Sequence, residues 1–360
     1  MTLPAAAKVL VLAITIAVMT WTALPKIPKP FIDYSRWPLL SGISQPAEYG
    51  TDTIADAYEA RVVRRDVRDM YTKRLTDQTP LEAATWTKDA SSPYPPATLL
   101  SLAALSAAGD AFGIGLYGAV FILALAFLAG SLVYCLRTRW YLFPILYLNF
   151  GYVGERFFSV QDGSYLVMLT LVLAALFAAR RTPALAHLLM AGAIVTKFSP
   201  VYYARQLPRM PRGVAIAFAA ILLAGLVLPV FLWENYLYIF RYNNELKGSG
   251  LAAVGALAVA IPFAILQART ESKRRFDLED LIGWSLVPLA LFFAFKMNAV
   301  RHLLLVLLVP DKRVVRNLAA GVGLAIYTLL SSSVPLNAML PVVTAILVVG
   351  LIWLQKTPAP

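Results

Sequence analysis

A chain of 360 residues that is 59% hydrophobic and only 14% charged, with a mean hydropathy of +0.68, lacks the surface chemistry of a water-soluble domain. Such a domain carries about a quarter charged residues. The net charge of +12 does not point to nucleic acid, because the cations fall in short clusters between apolar segments, as they do in the cytoplasmic loops of membrane proteins.

The first predicted element begins near Lys8 and runs apolar to Leu24. Ala23-Leu24-Pro25 is a poor cleavage site, so residues 1–24 are expected to be a retained first transmembrane helix. Residues 25–96 form the one long polar insertion, opened by Phe31-Ile32-Asp33-Tyr34 and closed by Ser92-Pro93-Tyr94-Pro95-Pro96. Long loops are exempt from positive-inside counting, so its arginines are compatible with an external location. Within it Ile54, Tyr58, Val63, Val67, Met70, Tyr71 and Leu75 recur every three to four residues, with Arg61, Arg64, Arg65, Arg68 and Asp69 between them. That pattern predicts an amphipathic helix on the membrane surface or over the bundle. The segment 97–108 is too short to span and is expected to be re-entrant or interfacial.

Residues 97–360 are expected to form one multi-span bundle. Its basic clusters are Arg137 and Arg139; Arg180 and Arg181; Arg205, Arg209 and Arg212; Arg269 with Lys273, Arg274 and Arg275; Lys312, Arg313 and Arg316; and Lys356, with Lys8 at the start of the first helix. If all are cytoplasmic, an even number of crossings separates each pair. The predicted crossings are 5–24 with 112–135, 140–159 with 163–179, 213–233 with 251–268, 281–295 with a short 300–309, and 318–333 with 337–354. Only the interval from Arg181 to Arg205 holds a single apolar stretch. Either it is a hairpin broken at Lys197-Phe198-Ser199-Pro200, the favoured reading, or the 205–212 cluster faces the other way. The fold class is therefore all-α and polytopic, with about ten transmembrane helices and a long first external loop.

On this topology the polar groups near span ends gather on the external side: Asp33, Tyr94, Glu155, Arg156, Gln161, Asp162, Lys197, Glu234, Asn235, Arg301 and His302. Ionisable groups at membrane depth are costly and tend to be functional. Asp33, flanked by Tyr34 and Trp37, has the position of a general base for a hydroxyl; it equally suits an interfacial acid satisfied by water or an arginine. Lys197, Arg301 and His302 are cations that could hold a lipid-linked phosphate. His187 and Cys135 read as packing residues, Gln161-Asp162-Gly163 as a tight turn, and Glu155-Arg156 as an internal ion pair. The run Trp233 to Tyr242 is dense enough in aromatics to stack on a sugar ring. No glycine-rich phosphate loop and no metal-ligand spacing stands out, and no cofactor is expected.

Several stretches in order resemble a known family. Ser92-Pro-Tyr-Pro-Pro-Ala-Thr-Leu-Leu100 resembles its Tyr-Pro-Pro-Leu segment, and Val160-Gln-Asp-Gly-Ser-Tyr-Leu166 its Gly-Gln-x-Asn-x-Leu turn. Ala191-Gly-Ala-Ile-Val-Thr-Lys-Phe-Ser-Pro200 is similar to its Ala-Gly…Lys-x-x-Pro stretch, and an acid follows the first helix. Together they resemble the GT-C membrane glycosyltransferases, in particular the polyprenol-phosphate-mannose-dependent mannosyltransferases of glycosyltransferase family 87. The turn departs from the family pattern at Val160-Gln161-Asp162-Gly163, and the loop after Asp33 is unusually long. The resemblance implies a GT-C-like bundle and an inverting, metal-independent sugar transfer from a polyprenyl-phosphate donor to a glycolipid or glycan hydroxyl. It implies an active site on the external face of a bacterial plasma membrane. Asp33 would be the base, and Lys197, Arg301 and His302 would hold the donor phosphate. Tyr34, Tyr94, Arg156, Gln161, Asp162, Glu234 and Asn235 would line the substrate site. A transporter or flippase of a lipid-linked substrate is the alternative, and a non-catalytic membrane partner the third reading.

Overall fold

The computed structural model describes residues 5–30, 32–47, 60–61, 63–66, 94–138, 163–198, 200–232, 236 and 277–286, with isolated helical positions between 257 and 269. The expected crossings 140–159, 300–309, 318–333 and 337–354 lie outside the described residues, as does most of 251–268. Among the described residues every regular element is helical, and no strand occurs.

Where the expected segments 5–24, 97–108, 112–135, 163–179 and 213–233 are described, each is helical close to those limits, whereas the expected 281–295 is described only as a helix that starts at Leu278 and ends at Ser285. Helix α1 spans Ala5–Ala23, α2 Pro96–Ala111, α3 Gly115–Thr138, α4 Gly163–Ala178 and α5 Pro183–Thr196. A 3-10 helix, Val201–Arg209, leads into α6, Arg212–Leu232, and α7 covers Leu278–Ser285. Pro96 and Pro183 each open a helix, where the missing N–H costs nothing. Of the amphipathic segment, the described turn at residues 60–66 has the predicted sidedness. Ala60 and Val63 are buried, Arg61, Arg64 and Arg65 are exposed, and Arg64 pairs with Asp110 at the end of α2.

Helix α4 is the centre of the bundle: Met168, Val172, Ala175 and Leu176 have no exposed surface. It forms an antiparallel hairpin with α5, with Gly192 packed against Leu171 and the Lys197 ammonium meeting Ser164 at the open end. Helix α3 runs parallel to α4, since Gly130 abuts Leu173 and, one turn on, Tyr134 meets Phe177 edge-on at 5.6 Å. Helix α6 runs parallel to α5. Its Phe218 packs on Tyr203, whose hydroxyl bonds His187, and further along its Gly225 lies on Val195.

These directions settle two points. First, α2 does not run the height of the bundle. Thr98, near its start, bonds the Thr196 carbonyl beside Ser164, and only residues 112–114 separate its end from the start of α3, at the same end of the bundle. A helix of about 24 Å with both termini there is inclined across that end, consistent with an interfacial rather than a spanning segment. Second, the chain reverses at Lys197–Pro200. The 3-10 helix returns past His187 and packs against α7, which is tied to the opposite end by an Arg180 Nη2 to Glu279 Oε2 bond of 2.9 Å. The stretch from Arg181 to Arg205 is thus a broken hairpin, and Arg209 and Arg212 join Arg137, Arg180 and Arg181 at one end.

Helices α3 and α6 have the length and apolar composition to cross a membrane. Neither is a core helix: Ile122, Leu125, Ile216, Phe231 and Leu232 are all exposed, Phe231 at 79%. Bare apolar stripes of this size are poorly solvated by water and well solvated by acyl chains. Within α6, residues Leu223–Val227 form a π-turn, an insertion that commonly accompanies functional sites. There the backbone of Gly225 lies so close to α5 that a Cβ would sit 2.6 Å from Val195 Cγ1. Replacing Gly225 by Leu is expected to lower stability by about 1–3 kcal/mol through overpacking. Thermal unfolding in detergent micelles checks this, and an unchanged Tm would show that the helices are not in close contact.

Candidate functional site

Two of the residues singled out in the sequence, Tyr94 and Lys197, come together. Helix α5 ends at Thr196 because Pro200 lies just beyond and disfavours continuation. Lys197 is already extended (φ −148°, ψ 122°), although its N–H still donates to the Ala193 carbonyl at 3.0 Å. Its half-buried side chain donates from Nζ to Ser164 Oγ at 2.8 Å, and the ammonium lies 4.8 Å from the centroid of the Tyr94 ring. The wholly buried Thr98 donates its hydroxyl to the Thr196 carbonyl. The Tyr94-Pro95-Pro96 segment, the Gly163-Ser164 start of α4 and the Thr196-Lys197 end of α5 therefore meet at one point.

The electrostatics of this junction favour an anion. The N-terminal ends of α2 and α4 are the positive poles of their helix dipoles. The carbonyl end of α5 opposes them, but Thr98 takes its last carbonyl and Lys197 sits on it. A phosphate or carboxylate would find a cation, a hydroxyl and a phenol in one place, next to apolar helix surfaces.

Asp33 and Tyr34 belong to a second locus. Asp33 caps the short 3-10 turn Tyr34–Arg36, its Oδ1 accepting from the Ser35 N–H at 3.1 Å and the Ser35 hydroxyl at 2.7 Å. Its Oδ2 lies 3.6 Å from Arg36 Nε. The Ser35 bonds, chiefly that from the hydroxyl, hold the carboxyl below its ordinary value of 3.8, with smaller help from Arg36 and Lys29 and against some desolvation. Gln45 fastens the loop to itself: its Oε1 accepts from the Tyr34 N–H at 2.9 Å, and its Nε2 donates to the Ile27 and Ile32 carbonyls at 2.9 and 2.8 Å. The Tyr34 ring is buried, with 2% exposed, and its hydroxyl has no hydrogen-bond partner among the described residues; burial raises its pKa.

The described partners of Asp33 lie within its own loop, and no described hydrogen bond or ion pair joins that loop to the Lys197 junction. Arg156, Gln161, Asp162, Glu234, Asn235, Arg301 and His302 lie outside the described residues. Sequence reasoning missed Thr98, Ser164 and Gln45. The first two sit inside the quoted motifs, and their proximity to positions that carry chemistry was the available signal; Gln45 had none. His187, read as structural, bonds the Tyr203 hydroxyl at 2.7 Å and braces the two arms of the broken hairpin. Among the described residues no group of three or more His, Cys, Asp or Glu converges to hold a metal ion. No family model, no curated protein and no solved structure matches the chain.

The Asp33 cap can be tested alone. Its depressed pKa means the cap is formed above the ordinary carboxylate value and is lost as pH falls through the lower, folded value. Carboxyl carbon shifts followed by NMR are expected to give a midpoint below 3.8, and Ser35→Ala is expected to move it upward. A Ser35→Ala protein with an unchanged midpoint would show that the hydroxyl does not hold the charge.

Proposed function

We propose that this chain is a multi-pass membrane enzyme that transfers a sugar, mannose first, from a polyprenyl-phosphate donor to a hydroxyl of a glycolipid or glycan. The reading places the reaction at the external face of a bacterial plasma membrane. The observation that carries it is the junction of Lys197 with Ser164 and Tyr94, because three short motifs far apart in sequence meet there around a cation. That is the equipment a lipid-linked phosphate would need where apolar helices reach the membrane boundary.

In the proposed reaction the acceptor hydroxyl gives its proton to Asp33 as its oxygen attacks the anomeric carbon. The bond from that carbon to the phosphate oxygen breaks with its electron pair, and the configuration inverts. The departing polyprenyl phosphate gains negative charge, which Lys197 and the two helix N-termini stabilise more than the bound donor. Oδ1 of Asp33 is occupied by Ser35, while Oδ2 faces Arg36 beyond hydrogen-bonding range and keeps acceptor capacity for the hydroxyl. For this chemistry the Asp33 loop must meet the junction in the substrate complex. Arg301 and His302 are the further cations the resemblance assigns to the donor phosphate.

Purified protein in vesicles, supplied with polyprenyl-phosphate mannose and a glycolipid acceptor, is expected to form glycosylated product. Asp33→Asn should lower kcat by about 10²–10⁴-fold while donor binding persists. Lys197→Met should cost about 10²–10³-fold and weaken donor binding as well. If the wild type moves the donor across the bilayer unchanged and makes no product, the protein is a transporter. If Asp33→Asn transfers at the wild-type rate, the base is elsewhere.

A further inference from the structure

The loop that carries Asp33 has a tip that the proposed reaction does not use. A single 3-10 turn, Leu24–Lys26, separates α1 from the neck of this loop. The neck is tied across: the Lys29 N–H donates to the Pro46 carbonyl at 2.9 Å, and Gln45 Nε2 donates to the Ile27 carbonyl at 2.9 Å. The loop is therefore held close to the end of α1. It buries Ile27 and Tyr34 but leaves Arg36, Trp37, Pro38 and Leu39 exposed in succession, Leu39 at 97%.

The backbone of this tip is closed within itself. The Leu40 N–H donates to the Trp37 carbonyl and the Ile43 N–H to the Leu40 carbonyl, both at 2.9 Å, which makes two consecutive turns. The Trp37 N–H goes to the Tyr34 carbonyl at 2.9 Å, the Ser41 hydroxyl donates to the Pro38 carbonyl at 3.1 Å, and Pro38 has no N–H to satisfy. Water would satisfy these groups wherever the chain left them open. A loop that enters a bilayer must bring its partners with it, because an unpaired backbone group is costly there.

We infer that the Trp37–Leu40 tip inserts into the lipid interface on the side of the membrane where α1 ends, and anchors the Asp33 loop there. Tryptophan suits that boundary, since its ring is apolar and its indole N–H polar. Trp21, in the last turn of α1, is a second exposed tryptophan. Lys29 and Arg36 are exposed on the same loop, and with Lys26 they outnumber Asp33, the one acid between residues 24 and 47, so the loop's charge favours phosphate headgroups. A protein partner could supply hydrogen bonds of its own, whereas lipid cannot supply them below the headgroups. An anchored tip would hold the Asp33 carboxylate near headgroup depth, where a lipid-linked phosphate lies. The inference rests on the membrane reading and is independent of sugar transfer.

The test uses the full chain with its one cysteine replaced, Cys135→Ala, and a nitroxide attached at Leu39→Cys or at Leu125→Cys. Both proteins are reconstituted into vesicles of equal parts phosphatidylcholine and phosphatidylglycerol. Leu125, exposed on α3, reports on the membrane reading alone. Relaxation of each label by oxygen, which concentrates in hydrocarbon, is compared with relaxation by a neutral water-soluble nickel chelate. Both labels are expected to relax faster with oxygen, the one at position 39 by the smaller excess. A chelate-dominated label at 39 beside an oxygen-dominated one at 125 overturns the inference and leaves the membrane reading intact. A label at 39 that neither reagent reaches would mean that protein covers the tip, a second copy included, and would overturn the lipid assignment. Chelate dominance at both positions would overturn the inference together with the membrane reading.

Discussion

An ammonium group at the end of an apolar helix must be given partners, since burying it unpaired costs far more than any single contact returns. Lys197 receives a hydroxyl from the first turn of α4 and an aromatic face from the segment ahead of α2. The carbonyl just before it, left open by the end of α5, is closed by the Thr98 hydroxyl. These satisfactions come from segments separated by about a hundred positions or by a whole helix, so they fix where α2, α4 and α5 meet. The rest of the described bundle follows from that knot.

With the open end of the α4–α5 hairpin fixed, Pro200 forces the chain to reverse, and the 3-10 helix carries it back toward the Arg180 turn. A 3-10 helix rises about 2 Å per residue, so nine residues retrace most of α5 without a full α-helix. The His187–Tyr203 bond marks the way, and α6 then climbs again beside α5. The bundle acquires two unlike ends. One joins Lys197 to two helix N-termini and carries the inclined α2. The other collects Arg137, Arg180, Arg181, Arg209 and Arg212 on helix ends that give way to exposed hydrocarbon. The close contact of Gly225 with Val195 belongs to the first end, two residues before Lys197, and the π-turn there lets α6 approach without a side chain in the way.

What could be read in the sequence was what composition and periodicity encode. Helix limits were legible because hydrocarbon, charge and proline mark them: Pro183 opens α5 and Pro200 closes it. The broken hairpin was legible because a lysine and a proline cannot both continue an apolar helix. The meeting of Tyr94 with Lys197 was anticipated only as membership of one face. The particular bonds were not legible, since Thr98 and Ser164 are ordinary helix residues until another helix arrives beside them. Gln45 is the clearer case: a glutamine in a polar loop carries no pattern, yet its amide makes three backbone bonds that give the Asp33 loop its shape. The inclination of α2 was half legible, because length excluded a full span but could not say which end its C-terminus would join.

The environment of Asp33 constrains how the proposed transfer can proceed. A carboxylate held below its ordinary pKa by Ser35 is fully ionised at neutral pH, and is for the same reason a poor proton acceptor in the ground state. It cannot deprotonate a sugar hydroxyl in advance, since that hydroxyl is far less acidic. Proton transfer must come late, once the bond from the acceptor oxygen to the anomeric carbon has begun to form and has made the hydroxyl proton acidic. In such a transition state the phosphate is already leaving, so the demand on Lys197 to receive its charge peaks as Asp33 takes the proton. In the proposed step an acid kept charged and oriented by its own loop would act together with a cation positioned by a hydroxyl and a ring. In the proposed transfer the self-contained Gln45 clasp would serve the same end, because a loop that holds its own geometry could carry an aligned carboxylate to the junction as a unit.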